Sequence, residues 1–371
     1  MNPSSNKLSE LIIEKIKNEG PIAFRDYMEM CLYYPGLGYY TSAKDKIGTS
    51  GDFYTSPILT SLFGEMIGKQ LEEMWEILGK KEFTVIEYGA GTGALCRDIL
   101  TYLKQNEEFY SKLNYCIIEK SESMREKEKS ILTEKVRWIS SPKELGSISG
   151  CVLSNELLDN FSVHKVVMKD GLKEVFVDHN GEFTEVLKPA STELTGYLEQ
   201  LNVVLPEGFY TEINLQAIDW LNEIAATLKE GFVLTIDYGY LAVELQNKSK
   251  GTLLCYNKHK INDNPYVSIG EQDITAHVNF SALQKWGELK GLSNCGYTNQ
   301  GYFLRGLGLT NHLRKAEQSH STNASDKQKL FLIHTLLTDM GNKFKVLIQQ
   351  KGLGKTQLSG LLFSQLYPTA Y

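Results

Sequence analysis

The stretch Glu87-Tyr88-Gly89-Ala90-Gly91-Thr92-Gly93-Ala94 constrains this chain more than any other. It follows the apolar run Phe83-Thr84-Val85-Ile86, which reads as a strand, and it opens a helical pattern over residues 94 to 105. A chain that turns from strand to helix while letting a ligand approach its backbone needs residues that accept positive φ and carry no Cβ. Glycine meets both demands. The joint therefore predicts the first βα unit of a nucleoside-binding fold.

The rhythm downstream agrees. Short apolar runs at 83–87, 114–119, 136–139, 151–154 and 232–237 alternate with helical patterns at 121–131 and 212–229. That alternation implies parallel strands with crossover helices, an α/β fold with a doubly wound, Rossmann-like sheet. Residues 163–187 break it: three apolar runs are joined by Lys169-Asp170-Gly171 and His179-Asn180-Gly181, which are hairpin turns, so an antiparallel insertion is expected there. Upstream, 8–18 and 61–78 show helical periodicity, and the intervening Gly-, Pro- and Tyr-rich stretch, with Tyr33 to Tyr40 and Gly48 to Pro57, reads as a functional loop. Phe344 to Ile348 alternates like a strand that closes the sheet edge, after a helix at 326–339. The expected division is an N-terminal helical and loop segment over 1–80 that caps the active site, then a core over 81–351. The core is interrupted by the antiparallel insertion at 163–211 and a helical one at 303–340, and a tail follows at 352–371.

The glycine spacing alone also suits a dinucleotide, and with it a nucleotide-dependent oxidoreductase. Two acids shift the balance. Glu87 precedes the first glycine, where a carboxylate attracts the ammonium and sulfonium of S-adenosylmethionine and would repel a pyrophosphate. Glu119 ends the next strand, where an acid accepts hydrogen bonds from ribose hydroxyls in either cofactor class. The expected cofactor is S-adenosyl-L-methionine.

Composition narrows the partners. The formal charge is −6 with basic residues scattered, which lacks the footprint of a nucleic-acid binder. The 371 residues hold no apolar run near the ~20 residues of a membrane span. No membrane association is expected. Six cysteines without C-x-x-C spacing read as buried thiols of a reducing compartment, and Met1 to Lys17 has no apolar signal region, so the cytoplasm is expected. The histidines show no metal-ligand spacing, so no metal is implied. The apolar tail Leu358 to Phe363 either packs internally or forms a contact in a homo-oligomer.

A second polar group follows the fourth strand: Ser154-Asn155-Glu156-Leu157-Leu158-Asp159. The carboxyl end of that strand lies over the crevice where doubly wound folds bind ligands. If Asn155 caps a helix, Glu156 and Asp159 share one side of it. The same letters also arise from a cap followed by acids that the helix dipole favours.

Seven blocks now fall in order: Pro21 to Met28, Tyr34 to Tyr40, Gly51-Asp52-Phe53-Tyr54-Thr55-Ser56-Pro57, the Glu87 loop, Asn155 to Asp159, Ile236-Asp237-Tyr238-Gly239-Tyr240, and Gln272-Asp273-Ile274-Thr275-Ala276-His277-Val278. Together they resemble the MidA family of methyltransferases, over residues 20 to 350. The resemblance implies methyl transfer from S-adenosyl-L-methionine to an arginine of a protein substrate. It further implies that Gly89, Gly91 and Gly93 hold the cofactor and that Gly51 to Pro57 folds over it; the expected cofactor site is completed by Glu87, Ala90, Glu119 and Asn155, with Thr55, Ser56 and Pro57 from the covering segment. Many members carry Pro or Arg inside the loop where this chain has Ala90 and Thr92.

An arginine acceptor suits paired acids, because a guanidinium is always charged and its planar donor fork matches carboxylates. Glu156 and Asp159 are therefore expected to orient it, with one of them or His164 taking the proton. His277 and Asp237 are secondary candidates, and the tyrosines from Tyr33 to Tyr40 read as packing. A small-molecule methyltransferase and a cofactor-binding assembly factor without turnover remain as alternatives.

Overall fold

The computed structural model of the chain describes residues 6–42, 56–132, 134–245, 247–257, 260–318 and 324–364. Two compact units emerge. One comprises Met1–Phe53, Leu158–Trp220 and Tyr240–Lys285; the other comprises Tyr54–Leu157, Leu221–Gly239 and Trp286–Tyr371.

The second unit is built on a sheet whose strands are β1 (Phe83–Tyr88), β2 (Leu113–Ile118), β3 (Val136–Trp138), β4 (Ile148–Asn155), β5 (Leu228–Tyr240), β6 (Ser293–Asn299) and β7 (Phe344–Lys351). Their spatial order is β6-β7-β5-β4-β1-β2-β3. β1 pairs in parallel with β2 on one side and β4 on the other, and β4 pairs in parallel with β5. The chain thus works outward from β1 in one direction and then returns to its other side. This reversal opens a crevice at the carboxyl ends of β1 and β4, the place where doubly wound sheets bind ligands. The central strands are nearly continuous apolar runs because helices cover both faces. Phe83, Val85, Leu153, Phe232 and Leu234 pack with Phe63, Met66, Ile67 and Leu71 of the helix Ser61–Ile77 in one core.

Two backbone approaches in this sheet are unusually close, one at Gly150 and one at Gly231 of β5, where a built Cβ would lie 2.0 Å from the Gly150 carbonyl oxygen. Gly150 stands opposite Thr84, at φ +151°, and a Cβ built on it would lie 2.0 Å from the Thr84 carbonyl oxygen.

The predicted parallel strands and crossover helices are present. The edge differs from expectation: β7 does not close the sheet but runs antiparallel between β5 and β6, and β6 is the outer strand. Its sequence, Ser-Asn-Cys-Gly-Tyr-Thr-Asn, lacks apolar alternation, because its amino-terminal residues from Ser293 to Gly296 stay partly or fully exposed at the edge.

The first unit is antiparallel. Ile22–Ala23, Leu172–His179, His164–Met168 and Tyr210–Ile213 pair in that order, with Phe183–Pro189 also on Leu172–His179. The expected hairpin turns are there, with Asp170 and Gly171 both at positive φ as a two-residue turn requires. A second small sheet joins Lys260–Asn262, Leu254–Asn257 and Asp273–Thr275. The helix Phe24–Tyr33 was not anticipated: it carries Phe24, Tyr27, Met28, Cys31 and Leu32 into the core of this unit.

Candidate functional site

The glycine loop begins where β1 ends. Gly89, Gly91 and Gly93 sit at φ +65°, +59° and +75°, and the helix Ala94–Leu103 starts immediately after. A Cβ at Gly89 would come within 2.9 Å of Leu157 Cδ1, the far end of a side chain that can shift, so the residue type is set by the positive φ. Ala90 adds a small side chain between them.

Three acids gather around this loop. Glu87 is 2% exposed and accepts a 2.6 Å hydrogen bond from the Tyr115 hydroxyl. Burial pushes its carboxyl up to about 7, with the Tyr115 bond pulling the other way. Glu119 ends the second strand, with Oε1 accepting the Ser121 backbone N–H at 2.7 Å. Burial raises it too, against the Ser121 and Arg125 contributions. Glu128, from the helix Glu122–Ile131, accepts from Trp138 Nε1 at 2.7 Å through Oε2, while its buried Oε1 has no hydrogen-bond partner among the described residues. Burial pushes it up to about 8, and the fields of Glu119 and Glu87 add to the push.

Sequence reading missed Glu128 because its helix is dense with Lys and Glu and looks solvated. The available signal was Met124, four residues earlier on the same face and also buried. Among the described residues no group of three or more His, Cys, Asp or Glu is arranged to hold a metal ion.

Clustered buried acids beside an open backbone fit a cationic nucleoside and oppose a pyrophosphate, which would add negative charge to theirs. S-adenosyl-L-methionine fits this set: Glu87 suits its ammonium, Glu119 its ribose. A cation beside Glu87 would lower its pKa, so a cofactor ammonium held there would release a proton on binding. Cofactor affinity is expected to rise from about pH 6 to about pH 8 and then level off. Calorimetry across this range should show Glu87→Gln binding more weakly with a flat profile; an equally steep profile in the variant removes Glu87 from the site. Stability follows the same sign. Because Glu87, Glu128 and Glu156 have folded values of about 7, 8 and 8 against 4.5, their contribution is greatest below 4.5 and is lost as pH rises through 7 to 8.

The carboxyl end of β4 is held differently from the sequence expectation. Asn155 is the last residue of the strand rather than a helix cap, Glu156 follows at φ +53°, and a 3-10 turn begins only at Leu158. Glu156 and Asp159 therefore do not share a helix face. Backbone bonds tie this bend to β5: Glu156 N–H donates to the Ile236 carbonyl at 2.9 Å, and Leu157 N–H donates to Asp237 Oδ2 at 3.1 Å. A left-handed non-glycine residue costs on the order of 1–3 kcal/mol and persists where its surroundings over-determine it.

Glu156 keeps part of its surface open while its carboxyl is ringed by protein atoms. Asn155 Nδ2 donates to its Oε1 at 3.1 Å, and the buried Asn155 Oδ1 has no hydrogen-bond partner among the described residues. Burial pushes the Glu156 carboxyl up to about 8; Asn155 and a backbone bond from Ser56 pull down, and Asp237 pushes up. Ser56 is wholly buried, with its hydroxyl 3.4 Å from Gln300 Oε1, and Pro57 is buried beside it. Thr55 lies outside the described residues. The unit thus brings together Ser56, Asn155, Glu156 and Asp237, with the last a closer participant than sequence suggested.

Asp159 and His164 belong to the other unit. Asp159 is 4% exposed, and its carbonyl accepts the Ala276 N–H at 2.9 Å. The Tyr40 hydroxyl donates to Asp273 Oδ2 at 2.9 Å, and Tyr33 donates to the Asn160 carbonyl at 3.0 Å. Burial drives the Tyr40 hydroxyl far above its usual range, and the charges of Asp273 and Asp159 reinforce this. Two motifs distant in sequence, Tyr33 to Tyr40 and Asp273 to His277, thereby meet around Asp159. His164 Nδ1 lies 2.6 Å from Glu174 Oε1. His277 donates its backbone N–H to Thr252 Oγ1 at 3.0 Å, and its ring stands 5.5 Å from that of Tyr240.

A family profile described as S-adenosyl-L-methionine-dependent methyltransferase matches residues 66–298, more than half of the chain. The chain belongs to this family. Among solved structures similar to this methyltransferase is a Burkholderia thailandensis protein with S-adenosyl-homocysteine bound. It is 30% identical, with a TM-score of 0.84, over 97% of this chain and 95% of that one. Among curated proteins, the mitochondrial protein arginine methyltransferase NDUFAF7 of Homo sapiens is 28% identical over 386 residues, covering 92% of this chain and 83% of its own length. The Drosophila melanogaster homolog is 27% identical, covering 93% and 85%. No helix among the described residues of the methyltransferase is long and apolar enough to cross a membrane.

Proposed function

We propose that this methyltransferase modifies an arginine of a protein. Supporting that reading are its curated relatives, which are protein arginine methyltransferases, and the Glu156 carboxyl at the mouth of the sheet crevice. The single observation that carries it is the Glu156 carboxyl, presented by a left-handed bend just past the carboxyl end of β4 on the same unit as the glycine loop. Bound at that loop, the cofactor supplies a methyl group activated on a sulfonium. Glu87, Glu119, Asn155 and the glycines hold it, and Ser56 and Pro57 exclude water. Glu156 orients the guanidinium and accepts the proton that the reaction releases, a task for which a pKa close to the working pH is best suited.

Asp159 and His164 are proposed as further acceptor-handling groups, each tested alone. His164, already hydrogen-bonded to Glu174, is the competing proton acceptor. A pH–rate profile that keeps its acidic limb in His164→Asn and loses it in Glu156→Gln assigns the proton to Glu156; the reverse assigns it to His164. Free thiols at Cys31, Cys96, Cys116, Cys151, Cys255 and Cys295 support a reducing compartment, and we place the enzyme in the cytoplasm.

Incubating host lysate with methyl-labelled cofactor, followed by mass spectrometry of labelled peptides, tests the function. Label on arginine supports it. Label confined to small molecules overturns the protein acceptor, and label on another residue type overturns the arginine.

A further inference from the structure

The unit that carries the glycine loop holds a second cavity, of about 510 Å³, at the start of its C-terminal helices. Arg305, from the helix Gln300–Gly306, and Arg314, from Leu309–Gln318, both line it, with Thr310, Thr338 and Asn342 around them. None of its lining residues is Asp or Glu, although the chain as a whole has a formal charge of −6. Neither arginine forms an ion pair among the described residues. Two planar donor forks with hydroxyls alongside match an oxyanion, and Tyr302 and Phe363 offer an aromatic wall to the chain that bears it. The volume lies within the range of ligand pockets, roughly 300–1,000 Å³.

The position of the cavity gives it a role. Asn299, also in the lining, ends β6 and stands opposite Lys345 of β7, which in turn stands opposite Asp237 of β5. Two strand spacings of about 4.8 Å put the Asn299 backbone roughly 10 Å from that of Asp237, along the same carboxyl edge of the sheet. An extended polypeptide covers that span in about three residues.

We propose that this cavity binds an acidic side chain of the acceptor polypeptide, about three residues from the modified position. The assignment rests on the protein-acceptor reading above. It predicts that acceptor sites carry Asp or Glu close to the target, held by Arg305 and Arg314.

The test uses the full chain with S-adenosyl-homocysteine and a capped peptide carrying one arginine and one glutamate three residues from it, compared with its glutamine counterpart. Losing charge-assisted bonds to two arginines is expected to weaken binding about 10- to 100-fold, so the wild type should prefer the acidic peptide by that factor and Arg305→Gln/Arg314→Gln should lose the preference. Arg305→Lys/Arg314→Lys, which keeps the charge, should restore part of it, and cofactor affinity should stay level in all variants. Equal binding of both peptides by the wild type, or an undiminished preference in the glutamine variant, overturns the proposal. So does inorganic phosphate displacing the acidic peptide at lower concentration than the peptide itself binds, since the cavity then takes a free oxyanion. Methyl transfer is not read in this assay. A preserved acidic preference with no labelled protein in lysate therefore marks failure of the acceptor reading, separately from failure of the cavity to bind acids.

Discussion

Glu156→Gln is expected to lower turnover by about 10²- to 10⁴-fold, the range that a positioned general base contributes. Cofactor affinity should change little, because the glutamine keeps the shape of the side chain and its contact with Asn155, and the cofactor acids Glu87 and Glu119 are untouched. The bend that presents the residue should survive as well: it is held by a backbone bond to the Ile236 carbonyl and by the Leu157 N–H donating to the Asp237 side chain, not by the Glu156 carboxyl. Single-turnover rates with labelled cofactor, set beside calorimetry with S-adenosyl-homocysteine, separate the two quantities. Turnover within a few-fold of wild type would take Glu156 out of the chemistry and leave Asp159 and His164 to be tested in its place.

Gly150→Ala is expected to be among the most destabilising changes, alongside Gly231→Ala. Gly150 sits at φ +151°, a region open essentially to glycine, and its new Cβ would press to 2.0 Å on a backbone oxygen of β1. Neither neighbour can yield without parting β1 from β4, the two strands that frame the crevice. A loss above about 4 kcal/mol is expected, the signature of a named steric mechanism rather than an ordinary surface change. Thermal melting should fall by roughly 5 °C or more, since the shift per kcal/mol, about 2–4 °C for chains of 150–250 residues, is smaller for one of 371. A variant melting within about 2 °C of wild type would mean that the sheet adjusts at this point at little cost.

Much of the fold was legible in sequence because its determinants are local. Apolar runs at 83–87, 114–119, 151–154 and 232–237 needed only their own letters to read as buried parallel strands, and the Asp170-Gly171 turn only its positive φ. Legibility failed where an element takes its identity from its neighbours. The polar edge strand Ser293–Asn299 exists because β7 lies beside it, and Phe24–Tyr33 is helical in a segment whose Gly- and Pro-rich flank masks it. At the site, Glu87 and Glu119 were found by their place after strands. Glu128 was hidden in a charged helix, and Asp237 gained its prominence from the bonds that it makes to the bend at Leu157.

By itself the sequence determined the chemistry on offer: a glycine joint between strand and helix, acids at the ends of the first two strands, and a polar group after the fourth. Only the tertiary structure decided which of these groups are buried and what stands beside each. It lifted Glu156 to a poised carboxyl at a left-handed bend, separated it from the helix partnership with Asp159, and set Arg305 and Arg314 from two helices around one cavity. The reason is that conformational preference belongs to a residue and its immediate neighbours. Desolvation and proximity, which tune a carboxyl or assemble an anion site, depend on residues brought together from far along the chain.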